Sequence, residues 1–136
     1  MGHTSLDSKN GVNDHTYKNI FDSIVDGLII CDLETGFIVK ANLAASKMHG
    51  YTKNEMIGQP ILSIIHPDYQ NIFNKNFLEF ESDGLFDIQA KHLCRNGSIL
   101  YAEWHGTAIT YQNRPCMVSI IHNITFRIWP LGKELF

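Results

Sequence analysis

The final third of the chain restricts its fold more than any other part. It contains three β-rich runs, "LFDIQAKHL", "SILYAEWHGTAI" and "CMVSIIHNI". Asn96-Gly97 separates the first two runs and "QNRP" separates the last two, and both sequences are typical of tight reversals. We therefore expect three antiparallel strands in succession.

The first part of the chain predicts a helix followed by a hairpin. Apolar residues recur at helical spacing from Tyr17, and Asp26-Gly27 ends that helix. Two short runs, "LIICD" and "FIVKA", then read as strands. Gly36 between them supplies the permissive backbone that a reversal needs.

Short helices are predicted between the hairpin and the last three strands. Asn42 offers a side-chain cap to "LAASKMHG", and Thr52 with Glu55 has the spacing of a capping box. "PILSIIHPDY" indicates a further helical piece, and Pro67 within it opens a longer helix with one apolar face. The order of elements predicts an α+β fold, in which short helices cover one face of a five-stranded antiparallel sheet.

Length and composition restrict the classes of function. A chain of 136 residues suits one domain, and a formal charge of −3 without a basic run argues against nucleic acid as a partner. No apolar stretch approaches the ~18 residues of a membrane span, so we expect no membrane insertion and a cytoplasmic location. Cys31, Cys94 and Cys116 have neither the spacing of a metal knuckle nor that of a disulfide framework. The polar residues 1–16 are expected to be a flexible lead.

Several fragments in a fixed order resemble one known family. They are "DGLIICDLETGFIVKAN", then "HGYTKNEMIGQ" with "IIHPDY", and finally "RNGSILYAEW" with "HNIT". Together they resemble PAS domains, which are sensory modules of larger signalling proteins. The resemblance implies a PAS domain over residues 17–125 and a C-terminal linker over 126–136.

The resemblance also assigns a role to the end of the last strand. PAS domains commonly end there in Asp-Ile-Thr, and Asn123, Ile124 and Thr125 stand in its place. This tripeptide is expected to relay a signal to an output domain, such as that of a two-component histidine kinase or a cyclic-dinucleotide enzyme. Asn123 lacks the charge that a salt bridge from this position would need. Pro130 is expected to interrupt a following linker helix, because an interior proline costs ~3 kcal/mol.

Strand alternation predicts which side chains face the helices. Glu103 is the costliest residue of its strand to bury, so Tyr101, Glu103 and His105 are expected to face outward. Ala102, Trp104 and Gly106 then face inward, as do Ile88, Ala90 and His92 on the preceding strand. By resemblance to the family's strand pairing, the last strand contributes Met117, Ser119 and Ile121.

The inner face is the candidate ligand site. A histidine on an apolar face needs a partner, and in flavin-binding relatives a polar residue near the position of His92 touches the ring edge. Alternatively, His92 bonds to backbone or water, Trp104 is a core residue, and Ser119 bonds to its own surroundings. The resemblance implies a sensor that binds an unidentified small molecule, and the expected lining is Ile29, Cys31, Ile38, Phe73, Phe77, Ile88, His92, Ala102, Trp104, Met117, Ser119 and Ile121.

Residue types exclude the photoactive flavin chemistry and disfavour haem and catalysis. The photoactive flavin relatives carry a reactive Cys in an Asn-Cys-Arg-Phe-Leu-Gln motif, and no Cys lies between Gly58 and Phe80. Haem sensors place a histidine in the long helix, where 68–80 has none, and an arginine at the position of Ile88. His66 is left as a weak haem-ligand candidate, while His49, His105 and His122 are expected at the surface. No catalytic motif is present, so we expect a regulatory domain rather than an enzyme.

An alternative hypothesis is that the domain is an interaction module rather than a sensor of small molecules. In it the interior is fully packed and the module binds no ligand. The apolar residues of 17–25, with Tyr101 and His105 on the outer sheet face, form a homodimer instead.

Overall fold

The computed structural model describes residues 14–80 and 84–128. Its helices, with a 3-10 turn at Ile61–Ile64, are α1 Asp14–Ser23, α2 Leu43–His49, α3 Lys53–Met56, α4 Pro67–Leu78 and α5 Thr125–Ile128. Its strands are β1 Gly27–Asp32, β2 Ile38–Ala41, β3 Phe86–Leu93, β4 Ile99–Tyr111 and β5 Arg114–Asn123. In this part of the chain no helix is both long and apolar enough to span a membrane.

The strands form one antiparallel sheet in the order β2-β1-β5-β4-β3. The last strand therefore lies at the centre of the sheet, between β1 and β4. Ser119 of β5 pairs with Ile29 on one side and with Gly106 on the other. The predicted α+β fold is confirmed.

Local sequence signals account for most element boundaries. The capping box closes as predicted, with Glu55 N–H donating to Thr52 Oγ1 (3.1 Å) and Thr52 N–H donating to Glu55 Oε1 (2.9 Å). Pro67 is the first residue of α4. Gln112 and Asn113 have φ values of 51° and 62°, the two left-handed residues of a tight hairpin turn.

Some boundaries differ from the prediction. Helix α1 begins at Asp14, three residues earlier than expected, and β5 begins at Arg114 rather than Cys116. Residues 1–13, the "ESD" of the predicted α4 terminus and the predicted break at Pro130 lie outside the described residues.

Buried Asn42 joins three elements. Its Oδ1 accepts from the backbone N–H groups of Leu28 (2.8 Å) and Ala45 (2.9 Å). Its Nδ2 donates to the carbonyl oxygens of Phe21 (3.2 Å) and Asp26 (3.0 Å). The predicted cap of α2 is therefore also the link that holds the end of α1 and the start of β1 against α2.

Candidate functional site

The inner face of β4 has the predicted alternation. Ala102 and Trp104 are fully buried, whereas Glu103 and His105 are partly or fully exposed. Tyr101 lies on the outer face but is only 7% exposed, because Ile124 packs against it. Tyr101 therefore faces outward as predicted but is covered by Ile124.

Aromatic side chains fill the space between α4 and the sheet. The ring of Phe73 meets those of Trp104 and Phe86 edge-on, with centroids 5.1 and 5.2 Å apart. Phe77 packs edge-on against Phe86 at 6.3 Å. These T-shaped contacts fix the orientation of the Trp104 indole.

All twelve predicted lining residues lie in or against this core. One apolar cluster contains Ile29, Cys31, Ile38, Phe73, Phe77, Ala102, Trp104, Met117 and Ile121. Ile88 is partly buried against that cluster, and His92 and Ser119 are fully buried polar residues. A ligand-binding role for them stays a prediction.

The expectation that His49 lies at the surface was wrong. His49 is fully buried one helical turn after Ala45, and its Nε2 lies 2.9 Å from Nδ1 of His92. The two imidazole rings are stacked, with centroids 5.2 Å apart. The sequence gives no local sign of this pair, since 43 residues separate its members.

Burial keeps both imidazoles neutral at pH 7. It lowers the pKa of His49 from 6.5 to about 4, against a smaller opposing effect of the Ala45 carbonyl. It also lowers the pKa of His92 well below 6.5, and the neighbouring His49 lowers it further. A charged form of either ring would lose its hydration without gaining a counterion.

The hydrogen bonds of the pair fix the proton on each ring. His49 Nδ1 lies 2.8 Å from the Ala45 carbonyl oxygen, which only accepts, so this nitrogen carries the proton. His49 Nε2 is then an acceptor, and His92 Nδ1 donates to it. The lone pair of neutral His92 is therefore on Nε2.

Three buried polar atoms of the inner face have no hydrogen-bond partner among the described residues. They are Nε2 of His92 on β3, Nε1 of Trp104 on β4 and Oγ of Ser119 on β5. The His92 and Trp104 rings are neighbours, with centroids 5.6 Å apart. The unpaired atoms thus belong to three adjacent strands of one face.

The side chain of Met117 covers the glycine of the inner row. A Cβ atom at Gly106 would lie 2.5 Å from Met117 Sδ and 3.1 Å from Ser119 Oγ. The space above this small residue is thus occupied by a flexible thioether.

The predicted relay tripeptide is fastened to the start of β4. Ile124 N–H donates to the Tyr101 carbonyl oxygen (2.8 Å), and Tyr101 N–H donates to Thr125 Oγ1 (3.0 Å). Asn123 Oδ1 accepts from Thr125 N–H (2.9 Å). An uncharged amide is sufficient for this local contact, so the missing carboxylate does not disrupt the turn.

The other histidines have structural or surface contacts. Nδ1 of His66 accepts from Asp68 N–H at the start of α4, at 3.1 Å. His105 and His122 are exposed, as predicted, beside Asp87 and Asp26. The described residues contain no group of three or more His, Cys, Asp or Glu side chains arranged to hold a metal ion.

Known proteins resemble the chain in sequence and in fold. The chain is 24% identical over 115 residues to the methyl sulfide methyltransferase-associated sensor of Methanosarcina acetivorans, covering 85% of this chain but only 12% of that protein. It is 27% identical to a PAS domain from Colwellia psychrerythraea (TM-score 0.70), covering 80% of this chain and 94% of that one. A domain of a sensory box sensor histidine kinase/response regulator from Geobacter sulfurreducens is 17% identical (TM-score 0.65), with coverage of 78% and 90%.

The family is established over most of the sheet. The family model described as PAS fold matches residues 38–121, which include β2 and every later element up to β5, of which only the last two residues lie outside the match. The sheet order and the helices on one face agree with that match. The chain therefore belongs to the PAS family.

Proposed function

We propose that this PAS domain is the sensory part of a longer signalling protein and binds a small molecule at the inner face of its sheet. The observation that carries the proposal is the set of unpaired polar atoms on His92, Trp104 and Ser119. Each unpaired buried polar group costs about 1–3 kcal/mol, and most buried polar groups in native proteins are paired. A bound molecule that pairs with one or more of these atoms removes the cost at each atom that it pairs.

Met117 is the side chain best suited to admit that molecule. It covers Gly106 and lies beside Ser119, and its unbranched chain has three rotatable bonds. The aromatic rings around Trp104 are held edge-on by their neighbours. We therefore infer that binding displaces the thioether rather than the aromatic wall.

The route to an output domain follows β5. Met117, Ser119 and Ile121 face the core from this central strand, which leads directly to Asn123, Ile124 and Thr125. A ligand can shift the equilibrium between two conformations of the domain only by the difference between its binding free energies for them, typically ~1–3 kcal/mol. An output domain in the same protein, of the histidine kinase or cyclic-dinucleotide class, is part of the proposal. It is supported by the comparison with the Methanosarcina sensor, because the matched region is only 12% of that longer protein.

The proposed setting is the cytosol, and the proposed role is regulatory rather than catalytic. Cys31, Cys94 and Cys116 are free thiols, and Cys31 and Cys116 are buried. Reducing compartments preserve such thiols.

Mass spectrometry of the purified chain tests the ligand proposal. We expect a larger mass under native than under denaturing conditions, and the released compound can then be identified. Gly106→Ala should lower the occupied fraction because its Cβ atom takes up space that the displaced thioether of Met117 would otherwise leave to the ligand. Thr107→Ala changes the neighbouring residue on the outer face and should leave the occupied fraction unchanged. Equal masses under both conditions, in a protein that no small molecule stabilises, would refute the proposal.

The second candidate function is a ligand-free dimerisation module. It is supported by exposed apolar side chains at Ile20 (58%) and Ile24 (39%), on and just after α1, and at Ile120 (46%) on the sheet. Tyr101 contributes little to such a surface because Ile124 covers it. Ile20→Asp should turn a dimer into a monomer in light scattering. A wild-type chain that is monomeric at micromolar concentration would exclude this function.

A further inference from the structure

We propose that the ligand of this site is an uncharged molecule that donates a hydrogen bond to Nε2 of His92 and accepts one from Nε1 of Trp104. This inference rests on the proposed function and adds the chemical class of the ligand. It follows from the direction of a chain of hydrogen bonds that begins at the backbone of α2.

The hydrogen bonds of this series all point in one direction, because the first acceptor is a carbonyl oxygen and carries no proton. The Ala45 carbonyl accepts from His49, and His49 accepts from His92. Each bond forces the proton of the next ring onto the nitrogen nearer to α2, which leaves His92 Nε2 as an acceptor. A ligand atom at this nitrogen must therefore be an N–H or O–H donor.

The neighbouring indole requires the opposite chemistry. Nε1 of Trp104 is a donor only, and it is buried without a partner in the part of the chain that the structure describes. The His92 and Trp104 rings are neighbours, with centroids 5.6 Å apart, and we infer that one small molecule bonds to both nitrogens. Ser119 Oγ both donates and accepts, so it imposes no further polarity.

Within residues 14–80 and 84–128, the core has no free charged group to balance a charge on the ligand. The buried polar and charged residues among the described positions are Asp32, Asn42, Ser46, His49, His92 and Ser119. Asp32 is paired with Arg114 at the hairpin end of the sheet. Burial raises the pKa of Cys31 to about 12, so its thiol stays protonated. An ionised ligand would be buried without a partner, which is strongly unfavourable.

The proton positions can be tested on the protein itself. Long-range ¹H–¹⁵N NMR correlations of the imidazoles should show both His49 and His92 protonated at Nδ1 at pH 7. His92 protonated at Nε2, or charged, would overturn the inference whatever the protein binds.

Three matched probes test the ligand class by calorimetry. 2-Pyridone has adjacent N–H and carbonyl groups, N-methyl-2-pyridone lacks the donor, and pyridine-2-carboxylate is an anion. We expect 2-pyridone to bind ~10-fold or more tightly than the N-methyl compound, because one buried hydrogen bond is lost. The anion should not bind. In Trp104→Phe, which keeps a ring but loses the N–H, the affinity for 2-pyridone should fall by a similar factor.

The outcomes separate this inference from the proposed function. Equal binding of the two pyridones, or tighter binding of the anion, overturns the inference and leaves a ligand-binding domain. If Trp104→Phe does not fold, the comparison of probes on the wild-type chain decides. If no probe binds, the co-purified compound decides: an uncharged molecule with both a donor and an acceptor supports the inference, and any other overturns it. If no probe binds and no compound co-purifies, both proposals fail.

Discussion

Two buried serines of this domain differ in what their hydroxyl groups contact. Ser46 on α2 donates to carbonyl oxygens of its own helix, at 3.1 Å from Asn42 and 3.0 Å from Leu43. Ser119 on β5 is equally buried but has no partner among the described residues. The difference follows from local structure, because a serine hydroxyl in a helix reaches the carbonyl oxygens three and four residues earlier, whereas one in a strand has no such acceptor.

This contrast predicts different costs for the same substitution. In ligand-free protein, Ser119→Ala should leave the free energy of unfolding unchanged or raise it, because an unpaired buried hydroxyl is removed. Ser46→Ala should lower it by about 0.5–1.5 kcal/mol. Urea denaturation measures both. A loss at Ser119 as large as that at Ser46 would show that its hydroxyl is already paired.

The histidine pair predicts the pH dependence of stability. Both histidines have folded pKa values below 6.5, so the unfolded chain binds protons more readily than the folded chain. The contribution of the pair to the free energy of unfolding is therefore fully present above about pH 6.5. It should decrease as the pH falls from 6.5 toward 4, by up to about 1.4 kcal/mol per pH unit for each histidine. Asp32, whose pKa Arg114 lowers from 3.8 to about 2, contributes only below about pH 4.

Two variants assign that dependence to the pair. His92→Asn keeps an amide N–H for His49 and should flatten the decrease. His105→Gln replaces an exposed ring and should not flatten the decrease. Denaturation at several pH values gives the change in the free energy of unfolding with pH for each variant. If the free energy of unfolding of the wild type does not change between pH 7 and 5, the rings are not buried and neutral.

At the scale of elements, Asn42 should contribute more to stability than any exposed asparagine. Asn42→Ala leaves two backbone N–H groups and two carbonyl groups without their partner, and roughly 3 kcal/mol or more should be lost. Asn76→Ala on the exposed face of α4 should change stability by about 0.5 kcal/mol or less. Similar losses in the two variants would refute the linking role.

The junction after β5 should open locally when its side-chain contact is removed. Thr125→Val deletes the Oγ1 atom that accepts from Tyr101 N–H, so exchange of that amide should become faster. Thr107→Val, on the same strand as Tyr101 but exposed, should leave this exchange unchanged. Hydrogen exchange measured by NMR distinguishes the two, and unchanged protection of Tyr101 in Thr125→Val would contradict the anchoring of the tripeptide.

Elements with local signals were the predictable part of the fold. The capping box at Thr52, the proline at the start of α4 and the reversal at "QNRP" depend on residues a few positions apart. His49 was not predictable in this way. At the end of a short helix before Gly50 it has the setting of a surface residue, where a basic group suits the helix C-terminus. Its burial depends on β3, which brings His92 to it.

At the scale of the whole molecule, the inner face was predictable and its chemistry was not. Alternation from Glu103 placed Trp104 and Ala102 in the core correctly, because the cost of burying a charge decides a strand's orientation. The same alternation placed Tyr101 outward but did not show that Ile124 covers it. The direction of the hydrogen-bond chain through His49 required coordinates, since it depends on contacts between distant elements.

A high-resolution crystal structure of the protein as purified tests the central claim most directly. The account predicts electron density for one non-protein molecule within hydrogen-bond distance, about 2.7–3.2 Å, of both His92 Nε2 and Trp104 Nε1. The side chain of Met117 should be displaced from Gly106 in that structure. Density for protein atoms alone, or for a single water at each nitrogen with Met117 over Gly106, would contradict it.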